Sequence, residues 1–409
     1  MAVIPLVVAG CSGDGVGDSD AGLDATTGGS KGDGVGGSTS AGGSQNGSGG
    51  ATGGTANGSG GAASCTPGPT ECELATGLEV ACMKRCALGV NYAWHAFAAD
   101  FGGIGAWAQA GVTDSPDVAT DLAAMSANGV SVVRWWMFPD FRGDGVTFDE
   151  NGDPTGLSAG AVADIQKALE LAAANDLRIV FTIFSFDNFR PTRDESGLTV
   201  RGMTPMVQSA TRRATLIQNV VRPIAAAVAA SPHADRLLGW DVINEPEWAV
   251  AATGSAPSGG DFTPNEELDA VSLADMKALI DESLVVLKEV TPNALTSVGW
   301  AAAKWQWAFD DVTNVDFHQP HIYAWVNDYW PYSSTPAELG YDDKPTVMGE
   351  YSLAAMPLTG SSTVSFADLN AAWFDSGYAG AWSWQFNENA SDAPLIAAFA
   401  TAKGCQVGY

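Results

Sequence analysis

Two glutamates stand at the ends of apolar runs. Glu245 follows "WDVIN" and precedes Pro246, and Glu350 closes "VMGE". An apolar run that ends in a carboxyl group and a proline reads as a buried strand delivering an acid to its own C-terminal end. Other runs do the same with other groups. Arg134 sits inside "VVRWW", Asn244 precedes Glu245, and His321 and Tyr323 lie two apart in "HIY". Residues two apart in a strand share a face. A guanidinium in a buried strand stays charged and requires a carboxylate partner. Two carboxyls at one end of a domain suit acid–base and nucleophilic work on a glycosidic bond. One must be protonated and the other ionised, and mutual repulsion with unequal surroundings separates their pKa values. Arg134 and Tyr323 can donate to Glu350 and keep it ionised as a nucleophile, which leaves Glu245 as the protonated acid. Asn244 can donate to a sugar 2-hydroxyl. Trp382 and Trp384, again two apart, can present a ring face to a sugar.

The elements that would carry these groups alternate from residue 87 onward. "ALGVNYAW", "VSVVRWWMF", "LRIVFTIFSF", "RLLGWDVINEP", "ALTSVGWA", "VDFHQPHIY", "PTVMGEYS" and "YAGAWSWQF" read as eight strands. Amphipathic stretches such as "SPDVATDLAAMSANG", "SAGAVADIQKALELAAAND" and "LADMKALIDESLVVLKEVT" lie between several of them. Near-continuous apolar strands alternating with helices predict a parallel sheet covered by helices. Eight such units favour a closed α/β barrel, the (β/α)8 or TIM barrel, over an open sheet. No GxGxxG follows the first strand, which counts against a dinucleotide fold. In a barrel the chemistry belongs at the C-terminal strand ends, where the residues named above stand.

This arrangement resembles the (β/α)8-barrel glycoside hydrolases with catalytic glutamates at the ends of strands four and seven. Within them it is most similar to the family 5 cellulase/mannanase group. The matching residues are Arg134, Asn244-Glu245-Pro246, His321-x-Tyr323, Glu350 and Trp382. The resemblance spans about residues 87 to 404. It implies a retaining mechanism, with Glu245 as acid/base and Glu350 as nucleophile, on a β-linked polysaccharide or oligosaccharide, with endo action expected. Where many members place a histidine near the end of strand three, this chain has "FSFDNF". Substrate identity is therefore not carried over with the motif.

Further candidate substrate contacts follow the strands. Trp94, Trp248 and Trp325 could wall subsites. Asp140, beside Arg142, is a second group of this kind, against a plain surface ion pair. Asp187 and Asn188 are a third, against turn residues bonding their own backbone. With four histidines in 409 residues, and with His318 set three before His321 and so on the other face, no metal site and no cofactor are expected. A non-catalytic carbohydrate-binding protein on the same scaffold is the competing reading, and both glutamates together with Arg134 argue against it.

The rest of the chain bears on setting. Net charge is −28, which disfavours nucleic acid and anionic membrane surfaces as partners. Residues 12–64 are nearly all Gly, Ser, Ala, Thr and Asp, without an aromatic residue, and read as a disordered linker. Residues 1–11, "MAVIPLVVAGC", resemble a lipobox, with Cys11 as the lipidated position. The chain is then extracellular or held at the cell surface, touching membrane only through that anchor, and monomeric. Residues 65–86 form a cysteine-containing extension before the hydrolase domain at 87–409. A bridge from Cys82 or Cys86 to Cys405, with one cysteine left over, would join the two ends of the barrel.

Overall fold

The computed structural model describes residues 69–80, 82–251, 262–328, 330–353, 355–358 and 362–409. The lipobox-like segment, the Gly/Ser-rich linker and Cys65 lie outside them.

The eight expected strands all form. They are β1 (Ala87–Asn91), β2 (Val132–Trp136), β3 (Arg178–Ser185), β4 (Leu237–Asn244), β5 (Leu295–Trp300), β6 (Gln319–Pro320), β7 (Val347–Met348) and β8 (Gly380–Ser383). Neighbouring strands pair in parallel from β1 to β6, β7 pairs with β8, and β8 pairs with β1. The seam between β6 and β7 closes through bridges His318–Thr346 and His321–Glu350 and through Gly349 N–H donating to Pro320 O at 2.9 Å. The sheet is thus a (β/α)8 barrel. β6 and β7 are two residues each.

Helices cover the outside where the amphipathic pattern placed them. Pro116–Ala127 begins with proline in its first turn, which sacrifices no intrahelical donor. Ala159–Ala174 and Leu273–Val290 are capped by Ser158 and Ser272, whose side chains accept from Ala161 and Asp275 N–H. The helical stretch expected within 204–230 is broken into Thr204–Gln208, Ala210–Leu216, a π-turn at Ile217–Val221 and Arg222–Ala229. Phe366–Asp375 and Ala393–Lys403 complete the cover. After β5 and β6 the helices among the described residues are short, as at Ala303–Phe309 and Ala324–Asn327. No helix among the described residues is long and apolar enough to cross a membrane.

Inside the barrel, side chains stack in layers. Ala87, Val132, Val180, Leu238, Phe317, Val347 and Trp382 form a dry floor, plugged from below by Leu78. Trp382 is fully buried there, and its Nε1 donates to Ala87 O at 3.0 Å. It fits because residue 89 is glycine: a Cβ there would lie 2.7 Å from the Trp382 ring. Trp382 is therefore a core residue and not a sugar platform, a correction to the sequence reading.

The disulfide expectation is also corrected. Cys405 bonds Cys72, and Cys86 is free and buried. Cys82 is disulfide-bonded as well. Cys86 lies in the backbone seam that pairs with Val407, where its side chain is packed away. The Cys72–Cys405 bridge spans a sequence separation of 333 residues, so it greatly restricts the unfolded chain. Cys405→Ser is expected to lower stability by about 2–5 kcal/mol, read as a lower urea midpoint. A matching midpoint for parent and variant under non-reducing conditions would contradict this.

Candidate active site

One layer above the floor, the barrel interior becomes polar. Val132, Arg134 and Trp136 climb the inner face of β2 in steps of two, from floor to charge layer to rim. Arg134 is fully buried, and all five of its N–H donors are used. Nε donates to Asp241 Oδ2 at 3.0 Å and Nη2 to the same oxygen at 2.6 Å. Nη2 also donates to Asn244 Oδ1 at 2.7 Å. Nη1 donates to Asn91 Oδ1 at 2.8 Å and to Glu350 Oε1 at 2.6 Å. Gly299 makes room for this group: a Cβ there would lie 2.8 Å from Arg134 Nη2 and 3.0 Å from His321 Nε2.

The two glutamates meet as the sequence required. Oxygens of Glu245 and Glu350 and a ring nitrogen of His321 all lie within 4.8 Å of one another. Their surroundings differ. Glu350 is 4% exposed and accepts from Arg134 and, through Oε2, from Tyr323 O–H at 2.9 Å. Burial raises its pKa, while the Arg134 guanidinium and the Tyr323 hydroxyl oppose the rise. Among the described residues, no Lys or Arg contacts Glu245. Its Oε2 accepts from Trp248 Nε1 at 2.8 Å, and its Oε1 lies 2.8 Å from His321 Nδ1. Burial pushes its carboxyl up to about 7, against smaller lowering from Trp248 and Arg134. Burial also holds His321 down to about 4, so the imidazole is neutral near pH 7. Glu350 thus has two donors that favour its charged form, whereas burial of Glu245 is offset by no contacting guanidinium or ammonium group among the described residues. The same three groups offer a cation three ligand atoms, but the Arg134 guanidinium already supplies positive charge against Glu350.

Aromatic rings rim the carboxyls on two sides. Trp384 is one inward step above Trp382 on its strand, about 7 Å higher, and so reaches the partly open rim. It meets Trp136 at 5.5 Å and Trp94 at 6.0 Å between ring centroids. On the other side Trp248 packs against Trp305 at 5.2 Å and Trp325 at 5.8 Å. Trp94, Trp248, Trp325 and Trp384 are all partly exposed.

Three other expected contacts are placed elsewhere. Asp140 is 2% exposed and both its oxygens accept from Arg142, with Arg193 adding a further bond at 2.8 Å. It ties the loop after β2 to the hairpin after β3. Asn188 is fully buried, and its Oδ1 accepts from Ser185 N–H at 2.8 Å, capping the turn Phe186–Phe189. Asp187 is nearly buried and accepts from Arg190 Nε at 2.8 Å through Oδ1. Asp140 and Asn188 are thus structural, because loop backbone and arginines claim them before any ligand could. His318 faces away from the cluster and lies 2.6 Å from Asp343.

Sequence reasoning passed over Asp241, Asn91 and Trp136. Asp241 accepts from Arg134 twice, from Thr182 O–H at 3.1 Å and from Gln319 Nε2 at 3.2 Å, while its Oδ1 accepts from Gly299 N–H at 2.9 Å. The signal was present, since a buried arginine demanded a carboxylate and Asp241 interrupts the adjacent apolar strand. Asp241 and Asn244 are three apart, which regular alternation would put on opposite faces. A register shift between them on the β5 side lets both reach Arg134.

Comparison with known proteins gives the same frame. No family model matches the chain. A mannan endo-1,4-beta-mannosidase from Mytilus edulis is 24% identical over 335 residues, covering 72% of this chain and 82% of that one. One from Cryptopygus antarcticus is 23% identical over 343 residues, covering 73% and 80%. The chain resembles the (β/α)8-barrel glycoside hydrolases of the family 5 cellulase/mannanase group. The beta-mannanase structure from Mytilus edulis superposes with a TM-score of 0.63 at 20% identity, over 80% of this chain and 94% of that one. An endo-1,4-beta-mannanase structure from Eisenia fetida gives 0.62 at 22% identity, over 80% and 94%. The shared architecture puts the strand ends bearing Glu245 and Glu350 on the face where barrel enzymes work.

Breaking a buried ion pair from one side leaves an uncompensated charge. Asp241→Ala is expected to lower stability by about 3–5 kcal/mol, and Asp241→Asn by less. Urea denaturation of both variants checks this; equal midpoints for parent and Asp241→Ala would contradict the account of Arg134.

Proposed function

We propose that the chain is a retaining endo-β-1,4-mannanase with Glu350 as nucleophile and Glu245 as acid/base. The observation that carries the reading is the unequal pair of carboxyls within 4.8 Å, one held by Arg134 and Tyr323 and the other without a cation in contact. Retaining enzymes separate the two groups by about 5–5.5 Å, close enough for a covalent sugar intermediate and too close for an intervening water. Preference for mannan over cellulose is drawn from the relatives named as mannan endo-1,4-beta-mannosidases.

In the first step a Glu350 oxygen attacks the anomeric carbon, the bond to the leaving oxygen breaks, and Glu245 delivers its proton to that oxygen. In the second step Glu245 takes a proton from water, whose oxygen displaces Glu350. Arg134 and Tyr323 keep the nucleophile oriented. Asn244, with its Oδ1 engaged by Arg134, is left with its amide nitrogen to donate to the 2-hydroxyl. Trp384 and Trp94 supply ring surface on one side of the bond, Trp248 and Trp325 on the other.

The cysteine pairing suits an oxidising compartment. Together with the lipobox-like segment it supports export; anchoring through Cys11 and a monomeric catalytic domain complete the reading. Loss of membrane fractionation in Cys11→Ser checks the anchor, and gel filtration of the domain checks the monomer.

Protonated Glu245 is the active form for the first step, so kcat/KM should fall as pH rises through about 7, and fall again at acid pH as Glu350 protonates. Glu245→Gln should lose the alkaline limb, and Glu350→Gln should lose essentially all turnover of mannan. NMR of the first product should show the β-anomer. An α-anomer, or full activity in Glu350→Gln, would falsify the mechanism; binding without turnover in the parent would favour a carbohydrate-binding protein.

A further inference from the structure

Glu247 stands two residues beyond Glu245, inside the short helical turn Pro246–Ala249, and is 1% exposed. Both its carboxyl oxygens approach a single donor, the Ala301 N–H, at 3.1 and 3.2 Å. Ala301 directly follows β5. Glu245 itself donates its N–H to Gly299 O at 2.7 Å. The turn is therefore fastened to the end of β5 at two points, one through backbone and one through the Glu247 side chain.

Between these points Glu245 adopts φ 48° and ψ 54°, the left-handed region that a residue with a Cβ rarely enters. Such a conformation persists only where the surroundings over-determine it. Here it swings the carboxyl off the strand direction toward Trp248, His321 and Glu350. A buried acid with one neutral donor is a poor way to add stability, since an apolar side chain would fill the space without desolvation cost. Its place beside the strained residue suggests another use. Burial raises the Glu247 pKa well above the usual range and Glu245 adds to the rise, so a charge beside Glu245 is disfavoured.

Resting on the assignment of Glu245 as acid/base, we infer that Glu247 is a positioning residue. By tethering the turn to Ala301 N–H, it holds Glu245 in the left-handed conformation that aims its carboxyl at the leaving oxygen.

The test compares Glu247→Met, which keeps volume and loses the acceptor, with Glu247→Gln, which keeps an acceptor oxygen. Both are assayed beside the parent and Glu245→Gln on mannan and on a 2,4-dinitrophenyl β-mannobioside, whose leaving group departs without protonation. A misaimed acid should cost E247M about 10- to 100-fold in kcat on mannan, with KM within about 3-fold. Its dinitrophenolate burst should stay near the parent rate, and E247Q should stay within about 3-fold of the parent on both substrates. Equal losses on the two substrates in E247M, no loss at all, or E247Q falling as far as E247M would overturn the inference. Should E247M fail to fold, Glu247→Asp, which shortens the arm by one methylene, takes its place against E247Q with the same outcomes. If Glu245→Gln itself shows no dependence on the leaving group, the assignment of Glu245 fails and not the tether alone.

Discussion

A permanently charged guanidinium with no exposed surface constrains everything around it. Arg134 cannot shed its proton, so the barrel must supply acceptors for five donors in a place that water does not reach. It does so from two strands and a strand end: Asn91 on β1, Asp241 and Asn244 on β4, and Glu350 just after β7 converge on the group. Each acceptor is thereby fixed in rotamer. Asn91 passes the constraint on, since its Nδ2 donates to Gly349 O at 2.9 Å and to Trp382 O at 3.1 Å, linking the strand that bears Glu350 to β8. Satisfying one buried charge thus sets the geometry of Glu350 and of the Asn244 amide beside Glu245.

The same charge creates the inequality that the chemistry needs. Four acids crowd the top of the barrel around one arginine: Asp241, Glu245, Glu247 and Glu350. Asp241 and Glu350 touch the guanidinium; Glu245 and Glu247 do not, and burial drives both toward the neutral form. The indole N–H of Trp248 is too weak a donor to reverse that for Glu245, and His321 is kept neutral by its own burial. Identical side chains sit in unlike surroundings because only one of the two catalytic candidates touches the guanidinium.

Layering explains which neighbours can take part. Successive inward residues on a strand rise by about 7 Å, so the inner face of β8 places Trp382 in the dry floor and Trp384 at the rim. Loop side chains obey a different rule. Asp140 and Asn188 lie beyond strand ends, where free backbone donors and arginines compete for every acceptor, and these local partners win. Groups on strands point where the pleat directs them, whereas loop groups point where their nearest partner lies.

The order and number of strands, the covering helices and the two glutamates at strand ends were all legible in the linear chain, because burial on two faces writes apolar runs and amphipathic periods into it directly. The demand of Arg134 for a carboxylate was legible too. What only the tertiary structure decided was depth and register. Period two says that Trp382 and Trp384 share a face and is silent on which reaches the surface. It also sets Asp241 and Asn244 on opposite faces, an expectation undone by a register shift against β5. The pairing of Cys405 with Cys72, in place of Cys82 or Cys86, was likewise settled by which thiol the closed barrel left beside the C-terminus. Periodicity is a local property of neighbouring residues; depth, register and disulfide partner depend on distances between segments far apart in the chain, which exist only once the barrel has closed.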